Sequence, residues 1–130
     1  MSTFKADYII ARQEEIAGNT SSIPVKTVVN GTPKAWVNFN GTGTISIRAN
    51  FNVSSITDNG TGDYGINITN AISDANYCWT TNSSGDATYG SYGVYITPQA
   101  APTTTILRLL TRNNAGTAAD MIATNASINR

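Results

Sequence analysis

Asp58 and Asp63 bracket the run Asn59-Gly60-Thr61-Gly62, a spacing that can bring two carboxylates to one turn. Paired carboxylates can divide glycoside hydrolysis between acid and nucleophile, or offer clustered oxygens to calcium. Asp and Asn beside Gly also hydrogen-bond their own backbone, and turn capping is the expected role of both residues. The wider inventory gives catalysis little support. The chain has no histidine, which removes the commonest general base, the nucleophile-His arrangements and the favoured zinc ligand. Cys78 is the single cysteine and lies between Tyr77 and Trp79 with no basic neighbour, so it is expected to be a small buried residue, not a nucleophile. No Gly-rich loop leads into a Lys-Ser/Thr helix that would cradle phosphate. No catalytic residue, metal ligand or cofactor is assigned.

The aromatic residues are more informative. Tyr77, Trp79, Tyr89, Tyr92 and Tyr95 fall within 19 positions, interleaved with Asn82, Asp86, Gly90 and Gly93. Rings beside amides and hydroxyls can stack on an apolar face and hydrogen-bond at once, as a sugar-binding surface must. Tyr89, Tyr92 and Tyr95 are the candidate sugar-contacting residues, with a glycine-kinked strand as the alternative reading of "YGSYG". Tyr77 and Trp79 are assigned to the core or a subunit interface, together with Trp36, Leu107 and Leu109. The run "TTTILRLLTRN" carries Leu107 and Leu109 on one face and Ile106 and Leu110 on the other, which predicts a strand covered on both sides.

Strands must position these side chains. Ala35, Val37 and Phe39 alternate with Trp36 and Asn38, then Ile45, Ile47 and Ala49 follow beyond "NGTG", a β-hairpin pattern. "FNVSSIT" and "YGINIT" on either side of "DNGTGD" predict a second hairpin, with Tyr64, Ile66 and Ile68 on one face. Asn-Gly recurs at 30, 40 and 59, where positive φ in tight turns is the expected reason. Later strands are predicted within 76–81, 87–97, 103–113 and 121–128. About eight short strands imply an all-β, antiparallel sandwich.

Residues 1–30 differ from the rest. "ADYIIARQEEIA" predicts a helix, and "NTSSIPVKTVVNGTP" an extended linker or edge strand, so 1–30 is read as an arm and 31–130 as the sandwich. Composition agrees with one such domain. Thr, Asn and Ser make up 45 of 130 residues, which disfavours helix interiors and favours turns. Eight basic and eight acidic residues leave no net charge and no basic stripe for nucleic acid or an anionic membrane. No apolar run approaches the roughly 20 residues of a membrane span, and the first residues lack a signal-peptide pattern, so assembly in a reducing cytoplasm is expected.

Three runs carry a resemblance in wording: "KAWVNFNGTGT" (34–44), "FNVSSITDNGTGDY" (51–64) and "DANY" (74–77). Residues 34–79 resemble a module found near the C-terminal ends of bacteriophage tail-fibre proteins. The resemblance implies a virion structural protein, a homotrimer that displays β-rich modules outward and contacts a host-surface receptor such as a polysaccharide. No receptor residue is transferred by it. About 30 residues precede the module here, and they are expected either to anchor it to other phage virion proteins at a baseplate, neck or capsid, or to be the end of a fibre shaft. The expectation is a tail-fibre or appendage module on the virion, assembled in the host cytoplasm, with no nucleic-acid partner and no membrane insertion. A capsid decoration or cement protein is the alternative, and a small glycan depolymerase acting through Asp58 and Asp63 the second.

Overall fold

The computed structural model describes residues 24–85, 95–98 and 100–130, with the chain divided into two units at Thr32 and Pro33. The helix expected in "ADYIIARQEEIA" lies outside the described residues. Of the first unit, Val25–Gly31 forms a short helix, α1. This corrects the expectation of extended chain across "PVKTVVNGTP". Pro24 precedes the helix with φ near −55°, and its carbonyl accepts the N–H groups of Thr27 and Val28. At the other end, the Thr32 backbone N–H and hydroxyl both donate to the Val28 carbonyl. Proline's fixed φ starts the turn, and these caps hold it against the poor helix propensity of valine and threonine. No residue of α1 is buried.

The second unit, Pro33–Arg130, is an all-β sandwich. Its strands are β1 (Pro33–Asn40), β2 (Ser46–Phe51), β3 (Val53–Gly60), β4 (Asp63–Ile68), β5 (Cys78–Ser84), β6 (Tyr95–Pro98), β7 (Ile106–Arg112) and β8 (Ala123–Asn129). They form two four-stranded antiparallel sheets, ordered β2-β1-β8-β5 and β3-β4-β7-β6. The core lies between them. Ala35, Val37, Phe39, Ala126 and Ile128 come from the first sheet; Val53, Tyr64, Ile66, Ile68, Leu107 and Leu109 come from the second. The alternation along β1 and β4 dictates this, because residues two apart share a face. Phe39 and Tyr64 meet edge to face across the core, ring centroids 5.1 Å apart.

A single residue carries the chain between the sheets. Asn52 sits between β2 and β3 at φ +56°, a left-handed conformation that asparagine tolerates better than most residues. Its side-chain amide donates to the carbonyls of Lys34 and Asn70, and its carbonyl oxygen accepts the Asn70 N–H. The corner is thereby tied to β1 and to the chain beyond β4. The β3–β4 turn is Thr61-Gly62, tighter than the whole "DNGTGD" run. Gly62 has φ +71°, and a Cβ there would lie 2.6 Å from the Thr111 carbonyl oxygen, so only glycine fits.

The Asn-Gly pairs do different things. Asn30-Gly31 ends α1, and Asn59-Gly60 closes β3 with Gly60 at φ +124°. At Asn40-Gly41, the positive φ falls two residues later at Gly43, whereas Gly41 itself leaves room for Tyr64. The Asn40 carboxamide organises that loop, accepting the Thr42 N–H and hydroxyl and donating to the Thr42 carbonyl.

β7 is covered on both sides only in part. Leu107 and Leu109 are wholly buried and Leu110 nearly so on the opposite face, but Ile106 is 43% exposed.

Candidate functional site

Alternation fixes what the first sheet shows to the outside. With Ala35, Val37 and Phe39 turned to the core, β1 presents Trp36 and Asn38 outward; β8 presents Asn125 and Ser127, and β5 presents Thr80 and Asn82. Strand register aligns them. Trp36, Ser127 and Thr80 form one row, with Phe51 of β2 beside Trp36; Asn38, Asn125 and Asn82 form the next. Strands pair about 4.8 Å apart, so a row across four of them spans about 14 Å.

The second row is a ladder of side-chain amides. Asn38 Nδ2 donates to Asn125 Oδ1, and Asn125 Nδ2 donates to Asn82 Oδ1 at 2.7 Å. Mutual hydrogen bonds hold the amides in fixed orientations on an otherwise open sheet. Beside them Trp36 is 39% exposed and Phe51 53% exposed. Trp36 is therefore neither in the core nor beneath another strand of this sandwich. Apart from Phe51, the two rows line a shallow depression of about 320 Å³, and no described residue lining it is charged.

The other candidate residues fall elsewhere. Tyr77, Leu107 and Leu109 are buried in the core, and Trp79 packs partly against it, 6.2 Å from Tyr77 in an edge-on contact. Tyr89 and Tyr92 lie outside the described residues. Tyr95 opens β6, in register with Arg112 of β7. Cys78, expected to be buried, is exposed. The cause is phase: Tyr77 turns to the core and Trp79 against it, so Cys78 between them faces outward on an edge strand.

Asp58 and Asp63 have different partners. Asp58 Oδ1 accepts the Gly60 N–H at 2.9 Å, capping its own turn. Asp63 instead receives two bonds from Arg108, Nε to Oδ1 at 2.8 Å and Nη2 to Oδ2 at 2.7 Å. Hydrogen bonding to the guanidinium holds the Asp63 carboxyl below its ordinary range, with burial opposing. A glycosidase acid requires the opposite displacement. Among the described residues, no cluster of three or more His, Cys, Asp or Glu could hold a metal, and no helix is long and apolar enough to cross a membrane.

A buried polar knot braces one end of the sandwich. The Tyr64 hydroxyl, buried, donates within reach of the Gly41 carbonyl (3.1 Å) and Asp120 Oδ1 (2.9 Å), and Asp120 Oδ1 also accepts the Gly62 N–H at 2.6 Å. Burial, reinforced by the Asp120 carboxylate, pushes the phenol's pKa well above its ordinary value. The knot holds loops together, and its Asp120 also lines a small depression of about 210 Å³ with Gly85, Asn113, Ala119 and Met121.

Asn38, Asn82 and Asn125 lie up to 87 positions apart, so their union depends on strand register. A local signal did exist: "W-x-N", "T-x-N" and "N-x-S" at 36–38, 80–82 and 125–127 each put two polar or aromatic residues on one strand face. The chain matches no protein-family model, no curated protein and no solved structure.

Proposed function

We propose that this chain is a bacteriophage virion structural protein, a trimeric tail-fibre or appendage module that contacts a host-surface receptor. The resemblance of residues 34–79 in wording carries this reading. Its residues span the first sheet's β1 and β2, the Asn52 corner, β3 and β4, and reach the start of β5. Two further features support a non-enzymatic, surface-contacting role. The depression on the outer face of the first sheet has no charged side chain among its described lining residues and offers an exposed ring beside ordered amides. In the first unit, α1 exposes Val25, Val28 and Val29, an i, i+3, i+4 apolar stripe of the kind that a partner covers.

The arm, residues 1–30, attaches the module to other virion proteins, and the sandwich faces the host. Antibody labelling of virions in negative stain should mark fibres or appendages, and light scattering should give a trimer at micromolar concentration. A monomer together with unlabelled virions overturns the reading. Deletion separates it from the cement alternative: loss of adsorption belongs to an appendage, whereas heads that burst on heating or at low salt belong to a decoration protein.

A further inference from the structure

We propose that the outer face of the β2-β1-β8-β5 sheet is a platform for an uncharged oligosaccharide, with Trp36 stacking on a sugar ring and the Asn38–Asn125–Asn82 ladder hydrogen-bonding its hydroxyls. The proposal names the ligand class and site of the receptor contact above, and rests on that reading for its biological setting.

The chemistry of the face selects the ligand. A pyranose has an apolar C–H face and an equatorial rim of hydroxyls, and needs a ring beside polar groups that both donate and accept. Trp36 supplies an indole 39% open to solvent, and each asparagine supplies a carbonyl and two N–H groups. The ladder uses one N–H of Asn38 and one of Asn125, with the oxygens of Asn125 and Asn82 as acceptors. The remaining N–H groups, the Asn38 carbonyl and the hydroxyls of Ser127 and Thr80 are left for hydroxyl partners. Because the amides already brace one another, binding orders few side chains, which lowers its entropic cost.

The lining narrows the class further. Acidic saccharides are gripped by Arg or Lys, and neither is among the described residues that line this depression, the nearest cation of the face being Lys34, two residues before Trp36 on β1. Extension follows from spacing: strands about 4.8 Å apart offer contacts at intervals close to the repeat of an extended glycan. A chain laid across the strands would pass from Phe51 over Trp36 to Ser127 and Thr80, all in one register row. A second copy of the protein fits less well, because the centres of self-association surfaces are their most apolar part, whereas asparagine, serine and threonine side chains surround Trp36 here.

The test applies the full chain to an array of uncharged and acidic oligosaccharides, then titrates the neutral hits by calorimetry and tryptophan fluorescence. A Trp79→Phe variant isolates the Trp36 signal. At least one neutral glycan should bind saturably and perturb that signal, with Trp36→Ala weakening binding about tenfold and Asn125→Ala several-fold. Should Trp36→Ala fail to fold, Phe51→Ala and Asn82→Ala, at exposed positions, carry the same expectation. The proposal is overturned by an array with no neutral hit, by preference for acidic glycans, or by affinity unchanged in these variants. It is equally overturned if Trp36→Ala dissociates an oligomer while no sugar binds, since a second copy would then cover the face. Trp36-dependent sugar binding with unlabelled virions keeps the site and removes the appendage reading; labelled virions without sugar binding do the reverse.

Discussion

A Cβ added at Gly41 would lie 2.3 Å from the Tyr64 hydroxyl oxygen and 3.1 Å from the Met121 carbonyl oxygen. Neither neighbour moves easily, because the phenol is held by Gly41 and Asp120 and its ring packs against Phe39. Gly41→Ala should therefore cost about 1–3 kcal/mol through overpacking, with hydrogen-bond loss added. Tyr64→Phe removes the hydroxyl but keeps the ring, and should cost about 1–2 kcal/mol. Urea unfolding of the two variants orders them; if Gly41→Ala is the milder, the close approach is not what glycine is there for. Thr124 behaves oppositely. It is wholly buried in β8, and its hydroxyl has no hydrogen-bond partner. Thr124→Val keeps the β-branched shape, removes the stranded oxygen and should raise stability by about 1 kcal/mol, read as a higher urea midpoint at unchanged slope. A lower midpoint would mean the hydroxyl is satisfied in solution.

At the scale of elements, Asp63 and Arg108 join β4 to β7 beyond the backbone ladder. The folded carboxyl titrates below its ordinary value of 3.8, so its contribution to stability is complete above that value and is lost as pH falls through the lower, folded one. Asp74, bonded to Arg130, shifts in the same direction for the same reason. The urea midpoint should thus be flat near neutrality and fall below about pH 4. Asp63→Asn should lower the midpoint at pH 7 and shallow the acid fall; a profile parallel to wild type below pH 4 would show that the pair is inert. This pairing also marks a limit of sequence reading. Ala35-Val37-Phe39 and Tyr64-Ile66-Ile68 disclose their inner faces because a period of two is local, and that is enough for the hairpins and the sandwich class. Asp63 and Arg108 are 45 positions apart, and Asn38 and Asn125 are 87, so only strand order and register unite them. Cys78 was legible in principle, since Tyr77 and Trp79 settle its phase. Val25–Gly31 was not, because its three valines and Thr27 favour strand and only Pro24 and the Thr32 cap decide for helix.

For the molecule as a whole, the division at Thr32 and Pro33 separates the sandwich from the arm proposed to attach it. Among the described residues, every member of the core cluster lies between Ala35 and Ile128, and α1 buries none of its own. A chain cut to Pro33–Arg130 should therefore unfold cooperatively within about 4 °C of the full chain, a shift of under ~1 kcal/mol for a domain of this size. The saccharide platform lies wholly on β1, β2, β5 and β8, so sugar affinity should survive the cut as well. What should be lost is incorporation into particles, because the exposed valines of α1 go with the arm. Replacing Val25, Val28 and Val29 by serine in the full chain makes the same separation without truncation. Calorimetry, sugar titration and a virion incorporation assay then report on three regions independently. A truncated chain that still enters virions would place the anchor on the sandwich; one that no longer unfolds cooperatively would make the arm part of the fold, and either result would undo the division of labour between the two units.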